Sequence, residues 1–159
     1  MCDKDYNEEF MQEAVRLSIE NIERGGGPFG AVIVRDGKII SRGANSVTLD
    51  NDPTAHAEVN AIRNACRSLG TFQLGGCIVF SSCEPCPMCL GAIYWAHLDK
   101  IYYANDRVDA AAIGFDDEFI YREFDLKPAD RHKPMVPLLR EEGKKAFAMW
   151  AQSDSKTEY

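Results

Sequence analysis

No apolar run in this sequence approaches the length of about 20 residues that crosses a bilayer. The first ten residues, MCDKDYNEEF, carry no apolar segment of the kind a secretion signal needs, so a cytoplasmic location is expected. There is no block of Lys and Arg, and the formal net charge is −7. Phosphate backbones are bound mainly through clustered cations, so the balance disfavours nucleic acid and suits a small neutral substrate. Repeats, low-complexity stretches and a domain boundary are all missing, which predicts one domain over 1–159. Histidine is scarce, with His56, His97 and His132 its only copies.

Cysteine, by contrast, is well represented: Cys2, Cys66, Cys77, Cys83, Cys86 and Cys89. Without a secretory signal a disulfide framework is disfavoured, because the cytosol keeps thiols reduced. A close Cys pair then points to a metal or a redox site.

The apolar pattern orders the rest. Residues 5–24 read as an amphipathic helix, with Phe10, Ala14, Val15, Ser18, Ile19 and Ile22 at helical spacing. GGGPFG breaks it, and AVIV and IIS around Asp36-Gly37 read as a β-hairpin. A helix is predicted from about Thr54 to Leu69, capped by Asp52 or Thr54. CIVFSS reads as a buried strand, and the next helix, with Pro85 in its first turn, runs to about His97. KIYYAN is another strand, DAAAIGFDDEFIYREF is partly helical, and REEGKKAFAMWAQ is a last helix before a polar tail. This order predicts an α/β sandwich with a mixed sheet, the hairpin antiparallel and the later strands parallel.

The densest chemistry lies in SSCEPCPMCLG. An iron–sulfur run would continue to a fourth thiol, and Leu90 to Ile93 supply none. A redox pair is open to Cys86 and Cys89, since a helix start lowers thiol pKa. A structural four-cysteine zinc site would want a second C-x-x-C pair, which is absent. Two thiolates plus one further ligand would leave a position for water, the arrangement of catalytic zinc. His56, at the start of a predicted helix in DPTAHAEVNAIRNA, is the strong candidate for that ligand. Glu58 follows two residues later; in a first helical turn both can flank one ion, and Glu58 can equally serve only to complement the helix dipole.

Together, His56-Ala57-Glu58 and Pro85-Cys86-x-x-Cys89 match H-x-E…P-C-x-x-C, the pattern of zinc nucleobase deaminases. The chemistry suits those residue types. Zinc lowers the pKa of a bound water from about 15.7 toward 7. Displacing an amino group from an aromatic ring then needs a proton on the adjacent ring nitrogen and another on the leaving nitrogen. One carboxylate that is not a ligand can carry both.

Beyond that pattern, GGPFGAVIV, NDPTAHAEVNAIR, SSCEPCPMCLGAIYWA and GFDDEFIY resemble the bacterial guanine deaminases of the cytidine deaminase superfamily, over nearly the whole chain. The resemblance implies a three-layer α/β/α fold with a mixed sheet of about five strands. It implies guanine and water going to xanthine and ammonia, with one Zn2+ per subunit on His56, Cys86 and Cys89 and Glu58 shuttling protons. It gives Asp117 a second proton-handling role. Substrate contacts fall to Phe29, Asn45, Ala57, Trp95, Asp117 and Tyr159. It also implies a homodimer whose C-terminal segment is exchanged, so that Tyr159 closes the partner's site. Each of these residues has a plainer reading: Phe29 and Trp95 as core, Asn45 as a turn residue, Asp117 as a helix cap, Tyr159 as tail. Cys83 is expected to be a small buried residue with no metal role. Other aminated bases, guanosine, cytidine, transfer-RNA adenosine, and a zinc-binding module without catalysis are the rival readings. Phe29 and Trp95 would crowd a nucleotide sugar, and a transfer-RNA enzyme needs a basic face.

Overall fold

The structure, a computed structural model, describes residues 8–159. Cys2 and the first residues of the expected N-terminal helix lie outside that range. The chain divides into two compact units, Met1–Asp117 and Glu118–Tyr159.

The first unit opens with α1 (Glu8–Glu23), followed by β1 (Gly30–Arg35) and β2 (Lys38–Ala44). Asp36 and Gly37 join these two strands with φ of 51° and 71°. Two successive positive φ angles give the turn whose twist matches an antiparallel pair, as the Asp-Gly dipeptide predicts. A short helix α2 (Val47–Asp50) precedes α3 (Ala57–Leu69), β3 (Ile78–Cys83), α4 (Pro87–Trp95), β4 (Lys100–Asn105) and α5 (Arg107–Ala112). The sheet order is β2-β1-β3-β4. β1 is antiparallel to both β2 and β3, and β3 runs parallel to β4.

That is a mixed sheet of four strands among the described residues, where about five were expected. The chain leaves β4 straight into α5. The Asp106 side chain accepts from the Val108 and Asp109 amides, and Asp109 returns the bond to the Asp106 amide. This reciprocal cap stops the strand and starts a helix.

Alternation along the strands divides the core in two. Ala31, Ile33 and Val79 face α3 and α4, meeting Ala57, Ala61, Ala65 and Ile93. Val32, Val34, Ile78 and Phe80 face α1, meeting Ala14 with Phe10, Met11 and Leu17. The result is the three-layer α/β/α arrangement. Full burial of a Val, Ile or Phe side chain contributes about 1.5–3 kcal/mol, so the two layers hold the sheet from both sides. The alanines bring α3 close to the sheet, and Gly43 makes the closest approach. A Cβ there would lie 2.2 Å from the Ala57 carbonyl oxygen.

Three local expectations shift. In α1 the inward residues are Ala14, Ser18 and Asn21, whereas Ile19 and Ile22 are exposed. The helix turns a buried asparagine inward because its amide has partners there. In α3 the cap position is held by His56, not Asp52 or Thr54. Asp52 instead accepts from the Thr54 amide and hydroxyl. In α4 the first helical position is Pro87, and Pro85 lies ahead of the cap at Cys86. The helix stops at Trp95, and His97 takes a φ of 57°.

The second unit holds α6 (Glu118–Asp125), a 3-10 turn at Pro128–Asp130 and α7 (Arg140–Gln152). Arg131 and the His132 amide donate to the Glu123 carbonyl and carboxylate at 3.0 and 2.8 Å, folding the Pro-rich stretch back on α6. No residue of this unit is buried, and Phe147 and Trp150 are exposed on α7. No helix among the described residues is long and apolar enough to cross a membrane.

Candidate metal centre and base pocket

Two helix starts meet behind the sheet. His56 caps α3 and Cys86 caps α4, and neither side chain bonds its own helix's amides. A cap residue normally turns inward to those amides. Here both are spent on each other. His56 Nδ1 lies 3.5 Å from Cys86 Sγ and 3.5 Å from Cys89 Sγ. Cys89 sits in the first turn of α4, so it shares a face with its own cap residue.

These atoms fit zinc. A tetrahedral ion about 2.0–2.1 Å from nitrogen and 2.3 Å from sulfur would set the two donors about 3.6 Å apart. All three candidate ligand atoms lie within 4.8 Å of one another, and three donors leave one tetrahedral position open. The three groups are electrostatically coupled. Cys86 ionises first: the hydrogen bond from Cys89, and then the His56 ring, bring its thiol down to about 4. Cys89 is held up by its bond to Cys86 and by burial. The bond to Cys86 in turn raises the His56 ring.

Cys83 stands apart from this triad. It ends β3, 6% exposed, and its thiol donates to the Asp106 carbonyl at 3.7 Å. Burial, and next the charge of Glu58, push it up to about 11, so it stays a neutral thiol.

Glu58 is 6% exposed in the first turn of α3. Ser81 donates its hydroxyl to Glu58 Oε1 at 3.0 Å. Burial raises the carboxyl above the usual carboxylate range, opposed by hydrogen bonds that include Cys89 and Ser81. Ser81 escaped the sequence reading, although its signal was present. Two serines inside a strand as apolar as CIVFSS must have partners; Ser82 accepts from the Gly30 amide at 3.0 Å.

Around this centre, Ala57 is fully buried as the first residue of α3. Asn45 is 7% exposed; its Oδ1 accepts from the Val47 amide at 3.3 Å, and its Nδ2 has no protein partner among the described residues. Phe29 meets Phe115 edge to face, with centroids 5.0 Å apart at 87°. Phe115, in the GFDD stretch that supplied Asp117, went unassigned in the sequence because a lone Phe has no pattern of its own. Asp117 is half-buried; burial, and then the negative charge of Cys86, raise its carboxyl. Arg107 pairs with Glu84 at 3.7 Å and donates its amide to the same carboxylate, tying the start of α5 to the loop before Cys86. Trp95 is not brought to the triad in the same way. It closes the nine-residue α4 at the end opposite Cys86, about 13 Å along the axis, and is 68% exposed. Tyr159, 72% exposed, lies in the second unit.

Residues 4–105 match the family model of the cytidine and deoxycytidylate deaminase zinc-binding region. The guanine deaminase of Bacillus subtilis (strain 168) is 53% identical over 154 residues, covering 96% of this chain and 99% of that protein. The X-ray structure of guanine deaminase from Bacillus subtilis superposes with a TM-score of 0.94 at 52% identity, covering 97% of this chain and 99% of that one. A guanine deaminase structure from Nitrosomonas europaea superposes with a TM-score of 0.68 at 34% identity, over 70% of this chain and 65% of that one. The tRNA-specific adenosine deaminase of Aquifex aeolicus is 43% identical over 97 residues, which is 61% of this chain and 64% of that protein.

Proposed function

The chain belongs to the cytidine and deoxycytidylate deaminase zinc-binding family, and on that premise we propose that it hydrolyses guanine to xanthine and ammonia. The observation that carries the substrate is the 53% identity to a guanine deaminase along 96% of the chain. The transfer-RNA enzyme matches only 61% of it, and a net charge of −7 disfavours binding to the phosphates of a stem and loop.

A zinc ion on His56, Cys86 and Cys89 would acidify the water in its open position. The chain's own part is proton traffic and orientation. Glu58, buried and raised, accepts a proton from the attacking water and passes it to the ring nitrogen beside the carbon under attack. The remaining hydroxyl proton then goes to the departing amino group, so ammonia leaves and the carbonyl of xanthine is left. Ser81 keeps the carboxyl turned to this task. Asp117, the second carboxyl with a raised pKa, takes the complementary proton-handling and substrate-reading part.

Phe29, braced by Phe115, offers its face to the purine ring. Asn45 Nδ2 donates to an acceptor on the base, and Ala57 supplies an amide from the unpaired helix start. Trp95 and Tyr159 are assigned to walls that only the assembled enzyme completes. A C-terminal unit with no buried residue and exposed Phe147 and Trp150 supports a homodimer in which that unit is exchanged. Such an enzyme belongs in the cytoplasm, in purine breakdown.

The deciding experiment is a substrate panel on the zinc-loaded protein. Ammonia should be released from guanine faster than from guanosine, adenosine, cytosine or cytidine. Turnover of a nucleoside with guanine inert would overturn the assignment.

A further inference from the structure

Two asparagines whose side chains reach neither the triad's ligand atoms nor the proposed base stand on either side of Asn45. Asn21, on α1, is 3% exposed, and its Nδ2 donates to the Gly27 carbonyl and to the Asn45 carbonyl, both at 2.7 Å. Asn60, on α3, donates from Nδ2 to the Ala44 carbonyl at 2.8 Å and to the Ser46 hydroxyl at 3.0 Å, with the Ala55 carbonyl at 3.4 Å. Side-chain amides from opposite layers of the sheet thus hold segment 44–46 at the Ala44 and Asn45 carbonyls and at the Ser46 hydroxyl. Main-chain bonds complete the frame: the Asn45 amide donates to the Phe29 carbonyl at 3.1 Å and the Ser46 amide to the Ala55 carbonyl at 2.9 Å.

We infer that Asn21 and Asn60 are positioning residues that fix Asn45 in register with the metal triad, and so set the enzyme's discrimination between bases. This rests on the reading of Asn45 as a substrate contact. The physical argument is one of reach. Asn45 follows the last residue of β2, and Asn21 ties its carbonyl directly to α1. The same Asn60 amide also faces the Ala55 carbonyl, one residue before His56, and the Asn60 main-chain amide donates to the His56 carbonyl at 2.9 Å. Asn60 therefore ties the residues flanking Asn45, through its side chain, to His56, through its main-chain amide. Misplacing a reading group by about 1 Å costs on the order of 100-fold in rate. Asn is suited to this because one planar amide supplies two donors, which serine or alanine cannot.

The test is a double-mutant cycle in the full-length zinc-loaded protein, with guanine and guanosine as substrates. Asn45→Ala alone should lower kcat/KM for guanine; if it does not, the reading of Asn45 fails and this inference with it. Asn60→Ala should lower kcat/KM for guanine by about tenfold or more and narrow the preference over guanosine, with one zinc per chain retained. In the Asn45→Ala background the same change should cost less than about twofold, because residues acting as one unit are non-additive. Full additivity of the two losses, with Asn45→Ala itself impaired, would overturn the positioning role alone. Ser46→Ala removes one acceptor at a half-buried site and keeps the cycle readable if an asparagine variant does not fold. It should show the same non-additivity with Asn45→Ala at smaller size, and additivity there would equally overturn the inference.

Discussion

Ser81 on β3 donates its hydroxyl to the Glu58 carboxylate of α3 at 3.0 Å, across the buried face of the sheet. The bond joins the strand that leads into the cysteine loop to the helix that carries His56. It therefore fixes the proton carrier relative to both halves of the metal centre. Removing either partner is expected to have different consequences.

Glu58→Gln keeps the shape and the Ser81 contact but cannot carry protons. One zinc per chain should remain by metal analysis, while kcat/KM for guanine falls by about 100-fold to 10,000-fold. Ser81→Ala should cost about tenfold, or about 1.4 kcal/mol, through lost orientation. Surviving activity in Glu58→Gln would remove Glu58 from the proton-carrying role.

The three cysteines of SSCEPCPMCLG should separate under substitution. Cys83→Ser leaves the metal in place, since the Cys83 thiol is neutral and bonded to the Asp106 carbonyl. Cys86→Ser removes the first thiolate and should release zinc at neutral pH. Equal zinc loss from both variants would contradict the assignment of ligands.

Deleting Tyr159 should impair kcat/KM while leaving zinc content and circular dichroism unchanged. Unaltered kinetics would return the residue to an ordinary tail. Mixed dimers of a Tyr159-deleted chain with a Glu58→Gln chain would give one intact site per pair if the tail crosses between subunits.

Gly43→Ala places a methyl group against the Ala57 carbonyl, where a Cβ would lie only 2.2 Å away. Neither backbone can yield cheaply, so α3 must move away from β2. A stability loss of about 1–3 kcal/mol by denaturant titration is expected, with weakened zinc affinity because His56 starts that helix. An unchanged midpoint would mean that the helix has slack.

Glu13 gives an acid-sensitive contribution. Hydrogen bonds from Arg16, and then Arg42, lower its carboxyl from 4.5 to about 2. The carboxyl is depressed in the folded chain, so its stabilisation is present above about pH 4.5 and is lost as pH falls toward 2. The Arg16 and Arg42 side chains are 49 and 53% exposed, so solvent screening limits the contribution to about 1 kcal/mol or less. Glu13→Gln should lower stability slightly at pH 7 and flatten the stability curve between pH 4.5 and 2.

Much of the architecture was legible because it rests on local pattern. The Asp-Gly turn, the period of the strands and the REEGKKAFAMWAQ helix are each specified by neighbouring residues. The same holds for the ligands, because H-x-E and P-C-x-x-C are compact pieces at two helix starts. The inward face of α1 was misread at Ile19 and Ile22, since hydrophobic spacing has no term for an asparagine whose partners lie elsewhere. The four strands read from the pattern are the four of the sheet among the described residues, and the fifth that the resemblance implied is not among them.

The sequence by itself determined the residue types of the centre, their pairing within each motif, and the order of helices and strands that presents them. It did so because those choices depend on contacts a few residues apart. Only the tertiary structure decided which atoms meet. Ser81 reaches Glu58, Phe115 braces Phe29, Cys83 turns away to Asp106, and Asn21 and Asn60 enclose the chain around Asn45. These relations join residues distant in the chain, and their geometry is set by the close approach of α3 and α1 to opposite faces of one sheet. Local pattern carries no record of such distances, because they come from packing.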